Sequence, residues 1–296
     1  MGPILLFDKS TLQSLSLDES VWLDTHYSAN ICPIFFAETL ADLEKEVGRG
    51  RIPDQVVGNL AEKTPEEAQP NVHHMDMLVA DLLGNSVGMQ RKPVLRPGRP
   101  VETSGRRSVI FDEAPEAAAL HRWQEGHFLE VERDFASSWR KGLEQLDLDR
   151  LCHDGTEMIR RLGRPSDFAQ AKELASSLHQ KQGSRSTREA LSSLPLPDQV
   201  RQRIFKRWQD KGSPPMDRYA PYAAHVLAVD SFFSLCLGAD LISKDRPSNK
   251  VDIAYLYYLP FCMVFTSSDR LHANTAPPFL HADQAFVHGS EMKVDL

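Results

Sequence analysis

An α/β fold built on a parallel sheet is what this sequence predicts, on three observations. Two successive strand–helix units open the chain, a long helix-rich polar stretch follows, and strongly apolar strand–helix character returns after Pro215. With 296 residues, 41% hydrophobic and 25% charged, the composition is that of a globular protein with a real core, as one large domain or two smaller ones.

Pro3 to Asp8 (PILLFD) is an apolar run that ends on a charge, the pattern of a buried strand, and Ser10 or Thr11 is placed to cap a short helix carrying Leu12 and Leu15. Ile31 to Phe36 reads as a second strand, and Glu38 to Val47 as a helix with Leu40, Leu43 and Val47 on one face. Residues 49–215 lose this rhythm and read as one large, mainly helical insertion, which leaves 1–48 and 216–296 as the core. Within the insertion, Phe128, Val131, Phe135, Trp139 and Leu143 recur at helical spacing and predict a helix over Leu120–Leu146. Further helices are expected over Val72–Leu83, Ser166–Leu178 and Asp198–Trp208, and a hairpin or long loop over 93–111. Beyond it, Tyr219–Ile242 reads as a long buried helix, Asp252–Leu259 as a short one and Phe261–Thr266 as a strand. Phe286–Leu296 reads as a short strand and the start of a helix, so the natural chain is expected to continue.

Cys32, Cys152, Cys236 and Cys262 are far apart and form no C-x-x-C pair, which argues against a zinc knuckle or a secreted disulfide framework and for a reducing, cytoplasmic setting. The N-terminus lacks the pattern of a leader, and the apolar run Ile253–Phe265 is too short to span a bilayer, so no membrane partner is expected. A net charge of −7 means that a nucleic-acid partner would need a local basic patch. Arg91, Lys92, Arg96, Arg99, Arg106 and Arg107, against Glu102 alone, form the best candidate. A solvated loop is the competing reading, since no aromatic residues for base stacking are interleaved. No P-loop or G-x-G-x-x-G run is present.

The chemistry concentrates in four acids beside the apolar segments: Asp8, Glu38, Asp252 and Asp269. Each alone has an ordinary explanation as a helix cap or first-turn acid. Together, carboxylates gathered at strand ends cannot all ionise without a cation to hold them. The segments ILLFDKS, ICPIFFAETLADLE and VDIAYLYYLPFCMVFTSSD resemble the PIN-like nucleases, in which an acid ends the first strand, a Glu follows the second, and an Asp opens a helix leading to a strand with a Thr/Ser-x-Asp signature. Here that signature is Ser267-Ser268-Asp269. The resemblance covers roughly the first 47 and the last 75 or so residues, and it departs from a compact PIN domain in the long insertion and the Tyr-rich helix containing Pro260. It implies a Rossmann-like three-layer α/β/α sandwich with Mg²⁺ or Mn²⁺ at the carboxyl ends of the strands, and hydrolysis of phosphodiester bonds in nucleic acid, RNA in preference to DNA.

On that reading Asp8 is the central metal ligand, Asp252 and Asp269 bind directly or through water, and Glu38 binds metal or orients the attacking water. Ser267 is expected to fix Asp269 or a metal-bound water. Asp42, one helical turn after Glu38, is either a further member of the pocket or a solvated, ion-paired acid. Lys250, Arg270 and His272 flank the acids and are candidates to grip phosphate, or ordinary surface charge. His73, His74 and Asp76 read as a helix start, and Cys152-His153-Asp154 as no nucleophile motif, because three consecutive residues do not make a spatial triad. Two rivals stand beside the nuclease: a non-catalytic PIN-like scaffold that binds protein or nucleic acid, and a phosphatase using the same acids on a small substrate. The insertion is also a candidate surface for a homo-oligomer or a protein partner.

Overall fold

A computed structural model describes residues 2–65, 70–96, 99–103, 106–110 and 115–295, the side chains of Glu44, 99–110, Trp139, Glu144 and Asp295 excepted. The chain opens with β1 (Ile4–Phe7), α1 (Lys9–Ser14), α2 (Leu17–His26), β2 (Ser28–Asn30) and α3 (Pro33–Gly48). The middle carries α4 (Pro53–Ala61), α5 (His74–Leu82), the hairpin β3 (Arg99–Thr103) and β4 (Arg106–Ile110), α6 (Pro115–Gln124), α7 (Glu130–Glu144), α8 (Leu148–Leu162), α9 (Phe168–Ser177), α10 (Arg185–Ser193) and α11 (Asp198–Asp210). The last part runs through α12 (Met216–Tyr219), α13 (Pro221–Gly238), α14 (Asn249–Ala254), a 3₁₀ segment (Tyr255–Phe261), β5 (Val264–Ser267), α15 (Arg270–Thr275), β6 (Ala285–His288) and α16 (Gly289–Asp295).

Four strands form one all-parallel sheet in the order β2-β1-β5-β6, with Leu6 opposite Asn30 on one side and opposite Phe265 on the other. All four lie in the two terminal segments, 1–48 and 216–296. In β1 every residue from Leu5 to Phe7 is fully buried, so its continuous apolar run serves both faces of a central strand. Alternation divides them: Leu6 joins one core cluster, with α5 and α8 to α13, while Leu5 and Phe7 join the other, with α1 to α4, α6 and Met292. The molecule is therefore mostly helical, with helices on both faces of the sheet, an arrangement compatible with three layers.

Three expectations are corrected. The apolar run Ile31–Phe36 is not a strand: Pro33 has no N–H to donate to a ladder, its fixed φ suits the first turn of a helix, and α3 starts there. The strand lies just upstream in the polar Ser28–Asn30, which its pairing with β1 selects and its composition does not. The first helix is capped by Asp8 itself, whose carboxylate accepts from the Thr11 N–H, and not by Ser10 or Thr11. Leu120–Leu146 is two helices: Gly126, with φ of +74°, closes α6, and Glu132 accepts from the Leu129 N–H at 3.0 Å and from Trp123 Nε1 at 3.1 Å to begin α7. Helices α2, α4, α8 and α10 lie where no helix is expected from the sequence.

The insertion does not stand apart from the sheet. Met77, Leu78, Ala171, Ala175, Ile204 and Trp208 share one continuous core with Leu6, Phe265 and α13. Among the described residues α13 is the one helix long and apolar enough to cross a membrane by length and composition, and 72% of it is buried inside the molecule. Gly155 of α8 lets that helix approach α13 closely: a Cβ there would collide with the Ser234 carbonyl oxygen. Because both partners are backbone, Gly155→Ala is expected to cost about 1–3 kcal/mol and to lower Tm by roughly 2–10 °C. A melting curve within ~1 °C of wild type would show that the two helices slide apart freely.

Candidate active site

The chain leaves β1 for β2 on one side and returns as β5 on the other, so the carboxyl ends of β1 and β5 form a topological switch point, the place where open α/β sheets hold ligands. Asp8 follows β1 directly, and Asp269 lies two residues beyond β5 as the N-cap of α15. Glu38 and Asp42 come from α3, and Asp252 from α14. Glu38, Asp42, Asp252 and Asp269 line one cavity of about 330 Å³, with Lys45 of α3 and Arg140 of α7 on its walls. A second, wider groove shares Ser248, Asp252 and Asp269 and carries Arg246 and Arg270.

Asp8 does not line these cavities and is 2% exposed. Its carboxylate accepts from Ser10 Oγ at 2.8 Å, Thr11 N at 2.9 Å, Thr11 Oγ1 at 3.0 Å and Ser267 Oγ at 2.6 Å, and His272 Nδ1 lies 3.3 Å away. Burial opposes its ionisation, yet His272 and these donors outweigh burial and lower its pKa. Ser267 Oγ is a hub: it donates to Asp8, accepts the Asp269 N–H at 2.9 Å and lies 2.8 Å from His272 Nδ1. With its proton given to Asp8, Ser267 can only accept from Nδ1, while Nε2 faces the Asp252 carbonyl oxygen at 2.8 Å. His272 therefore donates from both nitrogens and is an imidazolium, and despite burial Asp8 and Asp252 raise its pKa to about 9. Ser267 thus reaches Asp269 through the Asp269 backbone N–H and not through its carboxylate.

Glu38 accepts from Tyr255 Oη at 2.7 Å and lies 3.6 Å from Lys9 Nζ. Lys9 also pairs with Asp42, which in turn accepts from Lys45 at 2.6 Å. Burial raises the Glu38 pKa, with Lys9 opposing and Asp8 assisting. For Asp42 burial is outweighed by Lys9 and Lys45, and its pKa is lowered. Lys9, also buried, is raised because Glu38 and Asp42 overcome desolvation.

Asp252 differs from the other acids, since no donor among the described residues reaches its carboxylate. Burial pushes its pKa up to about 7; His272 opposes this, and the charges of Glu38, Asp269 and Asp8 add to it. Asp269 Oδ1 accepts from Leu271 N at 2.5 Å, and its other oxygen has no donor among the described residues.

No family model, no curated protein and no solved structure matches this chain. Its chemistry is read from its own residues.

Of the flanking cations, Arg270 borders the wider groove, whereas Lys250 donates to Asp230 at 2.5 Å and to Tyr257 Oη at 3.1 Å in a separate network, and His272 is too buried to meet a substrate. In the basic stretch, Arg91 pairs with Asp283, while the side chains of Arg99, Arg106 and Arg107 lie outside the described residues. The rings of adjacent His73 and His74 lie 4.3 Å apart and tilted by 34°, His73 being the cap of α5 and not part of its spiral. Sequence reasoning missed Lys9 and Tyr255. The second had a signal, standing three residues after Asp252 and so on a neighbouring helical face.

Among the described residues no three His, Cys, Asp or Glu side chains are grouped to ligate one ion. Mg²⁺ does not require such a cage, being held commonly by one or two carboxylates with water and substrate phosphate completing its shell. Asp252 and Asp269, which share both cavities and retain oxygens without donors, fit that smaller demand.

Proposed function

We propose that the chain is a PIN-like, divalent-metal-dependent nuclease with a Rossmann-like three-layer core, acting on nucleic acid and on RNA in preference to DNA. The observation that carries the reading is Asp252, a half-buried carboxylate that opens on both cavities, without a donor among the described residues and crowded by other acids. A site that keeps such a charge suits a hard cation. Asp252 and Asp269 are the residues that would hold Mg²⁺ or Mn²⁺, which when bound supplies charge neutralisation at phosphate oxygens and lowers the pKa of water. Asp8, Ser267 and His272 position them: Ser267 holds the Asp269 backbone and His272 the Asp252 backbone. Lys45 and Arg140 on one side of the acids, and Arg246 and Arg270 on the other, suit a polyanion laid across them. The preference for RNA rests on the resemblance of the motif segments.

The test is cleavage of labelled single-stranded RNA, single-stranded DNA and duplex DNA in Mg²⁺, Mn²⁺ and chelator, by wild type, Asp252→Asn and Asp269→Asn. Metal-dependent cleavage is expected to fall by more than ~100-fold in either variant, beyond the loss typical of a residue that only supports a ligand. Unchanged cleavage in both variants sinks the reading. One observation favours the second reading, a non-catalytic scaffold: the Asp8 and Glu38 carboxylates already have protein donors. Absence of cleavage on every substrate would favour it.

A further inference from the structure

Lys9 is 6% exposed, and a lysine is seldom so buried unless it is paired. As the first residue of α1, directly behind Asp8, it has its backbone set by the same cap that anchors that carboxylate. Its side chain reaches α3, where Nζ lies 3.6 Å from Glu38 Oε1 and pairs with Asp42. The remaining Glu38 oxygen takes the Tyr255 hydroxyl, and the remaining Asp42 oxygen takes Lys45. One half of the acidic cavity thus carries its own ammonium counter-charge, while the Asp252 and Asp269 carboxylates are met by no cationic side chain among the described residues, the buried His272 imidazolium reaching Asp252 only at its carbonyl oxygen.

We propose that Lys9, with Lys45 beside it on Asp42, is a resident cation that balances the charge of the Glu38–Asp42 half of the site and so limits the protein to one divalent ion, carried by Asp252 and Asp269. The inference rests on the metal-dependent reading above. Two-ion phosphodiesterase sites keep their ions about 3.5–4 Å apart, each needing carboxylate oxygens of its own. Here the oxygens that a second ion would require are engaged by an ammonium. A dication brought to within a few ångströms of that ammonium meets a repulsion that a partly desolvated cavity screens poorly. Lys9 is buried at the start of α1 with its ammonium between two acids of α3, so the counter-charge belongs to the fold itself.

Mn²⁺ binding to the full chain, measured by equilibrium dialysis with electron paramagnetic resonance of the free ion, tests this directly. Wild type is expected to bind one Mn²⁺ per chain and Lys9→Met two, with Lys9→Arg remaining at one. One ion in both wild type and Lys9→Met, or two in wild type, overturns the role of Lys9 and leaves the metal-dependent reading standing. No Mn²⁺ in wild type overturns both. Far-UV circular dichroism establishes that the variants fold. Lys9→Gln, which removes the charge and keeps a hydrogen-bond donor, is the second variant and is likewise expected to bind two.

Discussion

Asp8→Asn is expected to lower Tm by on the order of 10 °C, corresponding to about 3–5 kcal/mol. The amide would present its NH₂ to a ring of donors, Ser10, Thr11 and Ser267, and would leave the His272 imidazolium buried without its counter-charge. The pH dependence has a defined sign. The Asp8 pKa is lowered from its ordinary 3.8, so its contribution is present above that value and is lost as pH falls through the folded pKa. The His272 pKa is raised from 6.5 to about 9, so its contribution is complete below 6.5 and is lost as pH rises through about 9. The difference in Tm between wild type and Asp8→Asn is therefore largest at about pH 5–6 and shrinks toward either extreme. A double variant with His272→Asn is expected to lose less than the sum of the two single losses, because each single change strands the other partner. Additive losses, or a change in Tm below ~2 °C for Asp8→Asn, would show that the pair is not coupled.

Asp252→Asn is expected to do the opposite and raise stability at pH 8 in chelator. The folded pKa of Asp252 is raised from 3.8 to about 7, so folding costs free energy once pH exceeds the unfolded value, and the full cost is reached above the folded one. The shift corresponds to roughly 4 kcal/mol as an upper bound, and partial solvent access reduces this to about 1–3 kcal/mol. A rise in Tm of several degrees at pH 8 that vanishes near pH 4 is the expected result. Added Mn²⁺ should stabilise wild type and leave the variant nearly unmoved, since an ion that binds only the folded form acts by mass action. A lower Tm for Asp252→Asn at pH 8 would mean that this carboxylate is paired in the folded protein and does not serve as an open ligand.

The two substitutions remove neighbouring acids of one motif set and move stability in opposite directions. The local sequence distinguishes them only in part: Ser10 and Thr11 follow Asp8 and supply it with hydroxyl donors, where apolar residues follow Asp252. Asp8 meets His272 because β1 and β5 pair in parallel register, Phe7 opposite Thr266, which sets the end of one strand beside the turn after the other. Asp252 lies on a short helix where Glu38, Asp269 and Asp8 crowd it and where no donor among the described residues reaches its carboxylate.

Much of the fold was legible in the residues. The uninterrupted apolar run of β1, the return of apolar segments near β5 and the helical spacing around α5, α9 and α11 are local signals, and each element formed close to its expected bounds. Ile31–Phe36 misled because apolar content alone does not separate a strand from the buried start of a helix, and Pro33 was the discriminating residue. Helix α10, whose described residues are largely polar, follows from packing of Leu191 into the core and has little periodic signal of its own.

The sequence by itself determined that this protein is α/β, that the apolar strands β1 and β5 come from its two ends, and that Asp8 and Asp269 stand just beyond them. Only the tertiary structure decided which acids are satisfied and which remain open, because burial and charge pairing arise between residues distant in the chain. Lys9 meets α3, His272 meets Asp8, and the middle segment joins the core through α13 by contacts that no local pattern records.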